Sequence, residues 1–504
     1  MREIVSVQTM RDSDAACIAA GTPGRELMGR AAAVVEEKGR FHGHVGILCG
    51  SGGNGGDGYA LALLLDARGL AVTVFTLSEK ASEDGAYYRA QCRECLIPLV
   101  PYEAGTDLSG FTVLADCLLG TGFSGEPRGL TADAIRQINA SGAYVVSVDI
   151  PSGLSGDSGL GECAVKADRT VSIGSLKPGH FLGRARDVRG ELVNADIGIP
   201  PLAVDARLME EADAAACIPR REHWSHKGKY GYAGLAGGSL PYSGAPRLAA
   251  MACAAMRSGA GVAVAAAPRS LCPLIAPLVL ESTLLPLSEN GAGELVFAEE
   301  EWAALLQRVK TLSFGMGIGR GGAVKQALAY VLAHFEGRLV IDADGLFALS
   351  GLSPAALHES RAQVLLTPHL GEASRLLGVP AAEIEREPLR YAKQLAEEWR
   401  CTVLLKGSGT VVTDGTETWI TDRGCAGMAT AGSGDVLSGV LAALLGYGEG
   451  SLPKLAAAGA YLCGLAGERA ELDIGPTAMT AGDTARQIGQ AVRRLELVRD
   501  RATV

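Results

Sequence analysis

The chain has 504 residues, 48% of them hydrophobic and only 5% aromatic, with 67 glycines and a net charge of -10. That length asks for two or more domains, and the glycine content suits an α/β protein with many tight strand-to-helix turns. The acidic balance without a basic tract speaks against nucleic acid. With no basic-then-apolar leader and no bilayer-length apolar run, no membrane partner is expected. The twelve cysteines are scattered, Cys92 and Cys95 being the one close pair, and read as ordinary thiols of a cytoplasmic protein.

Residues 1–40 carry apolar positions at helical spacing and little β-branching. Residues 45–49 then predict a short strand, followed by a glycine loop and an apolar helix over about 59–67. Strands are predicted over residues 71–77, 111–119, 144–150 and 170–173, with helices between. This alternation is the signature of a parallel, doubly wound sheet.

Three polar clusters fall at the ends of these strands: Gly-Gly-Asn-Gly-Gly-Asp-Gly (residues 52–58), Asp-Cys-Leu-Leu-Gly-Thr-Gly (116–122) and Asp-Ile-Pro-Ser-Gly (149–153). The carboxyl ends of parallel strands share one edge, so these distant loops converge on one crevice. The first cluster lacks the Gly-x-Gly-x-x-Gly spacing of a dinucleotide fingerprint. Asn54, Asp116 and Ser152 supply hard oxygen donors suited to an alkali or alkaline-earth ion. Asn and Asp also fill turns for purely local reasons, but three such loops at one edge favour a ligand.

The strand pattern lapses over residues 195–219, where a short helix is expected at 209–219, and the domain boundary is placed near Arg220. The second half is again α/β. It holds His-Lys-Gly (226–228), a helix from Gly244 to about Ser258, Gly-Met-Gly-Ile-Gly (315–319), Asp-Ala-Asp-Gly (342–345), Thr-Pro-His-Leu-Gly-Glu (367–372) and Lys-Gly-Ser-Gly-Thr (406–410). His369 reads either as a structural histidine or as a ligand contact; its loop position favours the contact.

The stretch Gly-Met-Ala-Thr-Ala-Gly-Ser-Gly-Asp-Val-Leu-Ser-Gly (427–439) runs from a glycine turn into an apolar helix at 436–445. Backbone N–H groups and the helix N-terminus at Gly432, Ser433 and Gly434 favour an anion. Asp435 sits in the first turn, facing that spot. An acidic residue there also satisfies a simple capping preference, but a carboxylate beside an anion site suits proton or metal handling.

Taken together, these motifs resemble bifunctional repair enzymes for hydrated nicotinamide cofactors, which fuse an NAD(P)H-hydrate epimerase to an ADP-dependent NAD(P)H-hydrate dehydratase. The resemblance covers almost the whole chain. In residues 1–215 it rests on Leu27 and Met28, Asn-Gly-Gly-Asp-Gly from Asn54, Asp116 with Gly120-Thr-Gly, Asp149-Ile-Pro-Ser-Gly and Lys177-Pro. In residues 220–504 it rests on the second-half motifs above.

The resemblance implies an N-terminal Rossmann-like doubly wound domain and a C-terminal ribokinase-like α/β domain. It implies that the first half exchanges the R and S hydrates, and that the second uses ADP to dehydrate the S hydrate, giving AMP and phosphate. Asp435 and Asp149 are implied as catalytic bases, with Lys177 as an electrostatic helper. Substrate contacts are implied for Gly53, Asn54, Gly55, Gly56, Asp57, Gly120, Thr121, Gly122, Phe123, Ser124, Gly125, Glu126 and Asp149, and in the second half for Ala245, Gly317, His369 and Asp435. Lys406, Gly407, Ser408, Gly409, Thr410 and Gly434 are implied for the nucleotide. A potassium ion on Asn54, Asp116 and Ser152, Mg2+ with ADP, and a homo-oligomer complete the expectation.

The chain departs from the family pattern at Gly53, where a second Asn is usual, and at Met316 and Leu370, where Pro is usual. Two rival readings remain on the sequence: a ribokinase-type kinase of a small alcohol, and a non-catalytic nucleotide-binding scaffold. The epimerase-like half argues against the first, and the retained Asp149 and Asp435 against the second.

Overall fold

A computed structural model describes residues 2–254 and 258–501. The chain divides into two compact units, Arg2–Arg207 and the remainder from Leu208. The helix expected near residues 209–219 forms at Glu211–Ala216, and Met209, Ala214, Cys217 and Ile218 join the core of the second unit. The compact division therefore falls before the boundary expected near Arg220.

In the first unit the segment read as helical over residues 1–40 is two helices, α1 (Val7–Ala19) and α2 (Gly24–Lys38), preceded by a short strand at Arg2–Ile4. The break falls at Gly21, whose φ of +109° no helix accepts. The sheet is built of β1 (His44–Cys49), β2 (Ala71–Thr76), β3 (Leu99–Pro101), β4 (Val113–Cys117), β5 (Tyr144–Val148), β6 (Arg169–Ile173) and β7 (Glu191–Ala195). Its order is β3-β2-β1-β4-β5-β6-β7, parallel throughout. The order reverses between β1 and β4, and the crevice at such a reversal is where open parallel sheets bind ligands. The central strands are buried along nearly their whole length, as covered parallel strands must be. The edge strands β3 and β7 escaped the sequence reading because they are short and half-exposed.

One expectation is overturned. Residues 52–58 are not a loop before a helix at 59; helix α3 (Gly53–Ala67) already begins at Gly53. A Cβ on Gly55 would lie 2.0 Å from the Gly50 carbonyl oxygen, and one on Gly58 2.6 Å from Cys49 Sγ. The glycines thus let the first two turns press onto the strand ends, and this contact outweighs their poor helix propensity of about 1 kcal/mol each.

The second unit contains β8 (Tyr232–Ala236), β9 (Val262–Pro268), β10 (Ser282–Leu287), β11 (Thr311–Phe314), β12 (Arg338–Ile341), β13 (Gln363–Leu366), β14 (Thr402–Leu405), β15 (Thr410–Thr413) and β16 (Thr418–Thr421). They run in the order β16-β15-β14-β13-β12-β11-β8-β9-β10, parallel from β10 to β14 and then antiparallel through β15 and β16. Helix α4 is described over Ala245–Ala254; residues 255–257 of the helix expected to reach Ser258 lie outside the described residues. The anion turn opens helix α6 (Ser433–Tyr447), three residues earlier than the expected start at 436; the short helix Leu370–Leu377 is α5.

Helix α6 is positioned by two backbone contacts. Thr311 Oγ1 donates to the Ala442 carbonyl at 2.6 Å inside the core. Gly439 lies against α4 so closely that a Cβ would stand 2.1 Å from the Ala249 carbonyl oxygen. Overpacking costs about 1–3 kcal/mol, whereas replacing a mid-helix glycine by alanine gains about 1 kcal/mol. Because the neighbour is backbone, the steric loss should win. Gly439→Ala is expected to lower the unfolding free energy of this unit by about 1–2 kcal/mol in denaturant titrations; a more stable variant contradicts the close packing.

Candidate active sites

In the first unit, Asp116 lies buried on β4, at the reversal of strand order. Its Oδ1 accepts from Ser152 Oγ at 2.5 Å and its Oδ2 from Ser147 Oγ and Ser152 N, both at 2.8 Å. Burial raises its pKa, and these hydrogen bonds oppose the rise. Asn54, in the first turn of α3, donates from Nδ2 to the Leu119 carbonyl at 2.8 Å, and Ser152 Oγ reaches the same carbonyl at 3.1 Å. The three oxygen-bearing side chains picked out in the sequence are therefore brought together around one peptide.

Asn54 Oδ1 is buried and has no hydrogen-bond partner among the described residues. An orphaned neutral oxygen beside a fixed carboxylate fits a hard monovalent cation. Asp116 itself is saturated by hydrogen bonds, so it serves such an ion chiefly through its charge. Among the described residues no group of three or more His, Cys, Asp or Glu is placed to hold a metal, so soft transition-metal ligation has no donor set here.

Asp149 follows β5 in a left-handed conformation, φ +66°, unusual for a non-glycine residue. Its Oδ1 accepts from Lys177 Nζ at 2.5 Å and from Ile173 N at 3.1 Å. Oδ2 is left without a hydrogen bond among the described residues. Lys177 is buried, and Nζ also donates to the Ile173 carbonyl at 2.8 Å. Asp57 is half-buried on α3; burial pushes its carboxyl well above the usual range, and the charges of Asp149 and Asp14 add to the push. Asp14 of α1 is a neighbour the sequence reading missed, since nothing local marks it.

The segment from Gly120 to Glu126 is an irregular loop after β4. Arg11 donates to the Gly122 carbonyl at 3.3 Å. The two carboxylate oxygens of Glu126 accept from Glu162 N at 3.1 Å and Cys163 N at 3.3 Å, so this residue holds the neighbouring loop.

In the second unit, Asp435 occupies the first turn of α6, after Gly432 in a left-handed conformation (φ +93°). Burial pushes its carboxyl up to about 7; the charges of Asp342 and Asp344 add to this, and that of Lys406 opposes it. Lys406 Nζ donates to Asp342 Oδ1 at 2.8 Å and lies 3.7 Å from Glu372 Oε2. The other oxygen of Asp342 accepts from Ser438 Oγ at 2.7 Å, one turn along α6 from Asp435. Burial disfavours the Asp342 charge, but Lys406, Ser438 and Thr367 together hold its pKa below the usual range. Gly434 caps this cluster: a Cβ there would stand 3.8 Å from both Lys406 Nζ and Asp342 Oδ2.

His369 is exposed and spends Nδ1 on capping α5, accepting from Gly371 N at 3.0 Å. Its backbone N–H reaches Glu372 Oε2 at 2.9 Å. Its Nε2 lies 3.5 Å from Glu372 Oε1, and the side chain as a whole is exposed, so the structural and ligand-contact readings are compatible. Ala245 opens α4, and a Cβ on Gly317 would lie 3.2 Å from the Ala245 Cβ. Those two positions are neighbours, as the shared substrate role asks. Gly407 to Gly409 form the turn between β14 and β15, with Thr410 opening β15. Asp344 is spoken for by Arg320 Nε at 2.9 Å and Gly319 N at 3.0 Å. With Asp342 and Asp344 both engaged by the protein, a divalent ion at this turn would lean on a nucleotide's phosphates. Asp342, Glu372 and Ser438 lie within the motifs read from the sequence but were given no site role there; Asp342 and Glu372 follow strands, whereas Ser438 sits inside α6.

Two domain families match the chain, one described as YjeF-related protein N-terminus over residues 25–179, the other as NAD(P)H-hydrate dehydratase over residues 233–490. The bifunctional NAD(P)H-hydrate repair enzyme of Moorella thermoacetica is 38% identical over 472 residues, 89% of this chain and 87% of that one. Its counterpart in Archaeoglobus fulgidus is 34% identical over 501 residues, 98% of this chain and 99% of that one. Among solved structures, the ADP/ATP-dependent NAD(P)H-hydrate dehydratase from Bacillus subtilis, co-crystallised with ATP and Mg2+, matches with a TM-score of 0.52 and 28% identity, over 58% of this chain and 100% of that one. A ribokinase-like superfamily protein from Enterococcus faecalis matches with a TM-score of 0.50 and 23% identity, over 58% of this chain and 96% of that one, and speaks for the fold alone.

The raised Asp435 pKa has a thermodynamic consequence. The native state binds a proton at Asp435 more tightly than the unfolded chain does, so its stabilising contribution is present below the ordinary carboxylate range and lost as pH rises through about 7. Asp435→Asn should therefore raise the melting temperature by a few degrees at pH 8 and leave it unchanged near pH 4. Equal shifts at both pH values would show that the carboxyl is not perturbed.

Proposed function

The chain belongs to the family of bifunctional NAD(P)H-hydrate repair enzymes, and from that membership we propose how its two sites divide the reaction. The residues up to about 215 exchange the R and S hydrates of NADH and NADPH. The residues from about 220 use ADP to return the S hydrate to NAD(P)H, releasing AMP and phosphate.

The observation that carries the dehydratase reading is Asp435, a half-buried carboxyl with a pKa pushed up to about 7 at the mouth of a glycine-rich helix start. Hydroxide leaves a ring carbon badly, whereas phosphate leaves well. Asp435 takes the proton of the substrate hydroxyl as that oxygen attacks the terminal phosphorus of ADP, and AMP departs. The N–H groups at Gly434 and the Lys406 ammonium stabilise charge on the transferred phosphoryl. Lys406 and residues 407–410 hold the nucleotide, while Ala245, Gly317 and His369 hold the hydrate. Mg2+ entering with the nucleotide supplies further charge neutralisation.

In the epimerase half, Asp149 is the base through its unengaged Oδ2, and Lys177 fixes the other oxygen. Residues 53–57 and 120–126 form the walls against which the nicotinamide ring is held. A potassium ion would be held by Asn54, Asp116 and Ser152, where it supplies positive charge beside the substrate. All twelve cysteines are free thiols, which supports a reducing cytoplasmic location. No helix among the described residues is long and apolar enough to cross a membrane.

Two experiments test this reading. A full time course with a defined epimer mixture, at saturating ADP and Mg2+, follows the reduced-nicotinamide absorbance. Asp149→Ala should leave a fast phase equal to the S hydrate, then a slow phase at the uncatalysed exchange rate. Asp435→Asn should lower turnover by roughly a hundredfold or more while epimer exchange continues. Complete repair in one fast phase by Asp149→Ala would remove the epimerase assignment, and near-wild-type turnover by Asp435→Asn would remove the base. Separately, rubidium-soaked crystals should show anomalous density beside Asn54 Oδ1; an empty map with substrate bound takes the ion out of the proposal.

A further inference from the structure

His180 is fully buried at the end of the short turn Pro178–His180 that follows Lys177. Both ring nitrogens are engaged. Nδ1 lies 3.0 Å from the backbone N–H of Lys177, which can only donate, so Nδ1 is the acceptor and carries no proton. The ring proton is therefore on Nε2, which donates to the Asp149 carbonyl at 2.8 Å. Lys177 Nζ in turn reaches Asp149 Oδ1 at 2.5 Å. The three residues close a ring of hydrogen bonds: imidazole to the Asp149 backbone, Asp149 side chain to Lys177, Lys177 backbone to imidazole.

This ring bears on a strained point. Asp149 holds φ at +66°, a left-handed conformation that is costly for a non-glycine residue unless its surroundings fix it. The carbonyl that His180 holds belongs to this residue. The turn itself has little freedom, since a Cβ on Gly179 would stand 2.1 Å from the Ser155 carbonyl oxygen. Burial, with the charges of Lys177 and Arg189 and against the pull of Asp149, lowers the imidazole pKa to about 4, so the neutral ring persists through the physiological range. A histidine that merely filled space would not need both nitrogens directed at the two charged residues of the site.

We propose that His180 is a positioning residue for epimer exchange: it holds the Asp149 main chain in its left-handed conformation and aims Asp149 Oδ2 and Lys177 Nζ at the substrate. This rests on the assignment of Asp149 as the base.

The test uses the full chain in potassium buffer, with the exchange between R and S hydrates followed by NMR and kcat and KM separated. His180→Ala should lower kcat by roughly 10–100-fold and change KM by less than about threefold, as misplacement of a reacting group does. His180→Gln, whose amide N–H can still reach the Asp149 carbonyl, should recover part of the lost kcat. Circular dichroism and the ADP-dependent rate on pure S hydrate confirm that each variant is folded. A folded His180→Ala variant with kcat within about twofold of the parent, or a loss lying wholly in KM, overturns the proposal.

If His180→Ala does not fold, the 15N spectrum of histidine-labelled parent protein decides. The Nε2–H tautomer held from pH 8 to pH 5 supports the ring. An Nδ1–H tautomer, or titration at an ordinary histidine pKa, overturns it. Asp149→Asn separates the two levels: full exchange activity in that variant defeats the base assignment, whereas loss there beside retained activity in His180→Ala defeats only the role of His180.

Discussion

Direct contact between backbones, with no side chain between them, is the constraint on which both sites depend. Gly55 lies on the carbonyl of Gly50, and Gly315 would put a Cβ 2.0 Å from the Asp342 carbonyl oxygen. Gly439 meets Ala249 in the same way. The first two contacts draw a helix start and a loop down onto the carboxyl ends of parallel strands, and the third seats α6 against α4. Asp116 at such a strand end accepts from backbone N–H and hydroxyl groups instead of bulk water. Only glycine permits this approach, and the free energy lost to its backbone entropy is about 1 kcal/mol per position.

The two units use that geometry to opposite electrostatic ends. Asp149 is given a lysine at 2.5 Å, a backbone N–H on the same oxygen and a tethered main chain, so one oxygen is fixed and the other left free. Asp435 is denied any such partner. The nearby lysine is drawn away to Asp342, which Ser438 also holds, and the carboxyl of Asp435 is left half-buried with its pKa pushed up to about 7. A base poised near the working pH can both accept and release a proton. One fold class thus supplies a firmly held carboxylate in one unit and a readily exchanging one in the other.

Much of this was legible in the sequence, for physical reasons. Buried parallel strands read as apolar runs, and polar residues immediately after them mark the sheet edge where ligands bind. Asn54, Asp116 and Ser152 were found this way, and the structure brings them around the Leu119 peptide. What escaped was either short and half-exposed, like β3 and β7, or contrary to local propensity, like the glycine-rich first turns of α3. A glycine run reads as a loop because propensity is local, whereas the contact that makes it helical comes from strands distant in sequence. Asp14 and His180 were invisible for the same reason: Asp14 bears on Asp57 only once α1 is in place, and His180 on Asp149 only once the turn after Lys177 is.

In the proposed reaction, the charge balance of the second site favours a glycine turn over a cluster of cations as the face toward the nucleotide. Lys406 is shared among Asp342, Glu372 and Asp435, so these carboxylates offset part of the positive charge it presents to a phosphate. An added phosphate would push the Asp435 carboxyl still higher and leave it protonated when a base is needed. More lysines would correct that but would also depress its pKa too far for proton transfer. Backbone N–H dipoles at the start of α6 solve both sides: they favour the phosphate at close range and bring no mobile countercharge to Asp435. In the proposed reaction the turn from Gly432 to Gly434 binds the anion beside Asp435, whose pKa is set by burial and by the charges of Asp342, Lys406 and Asp344.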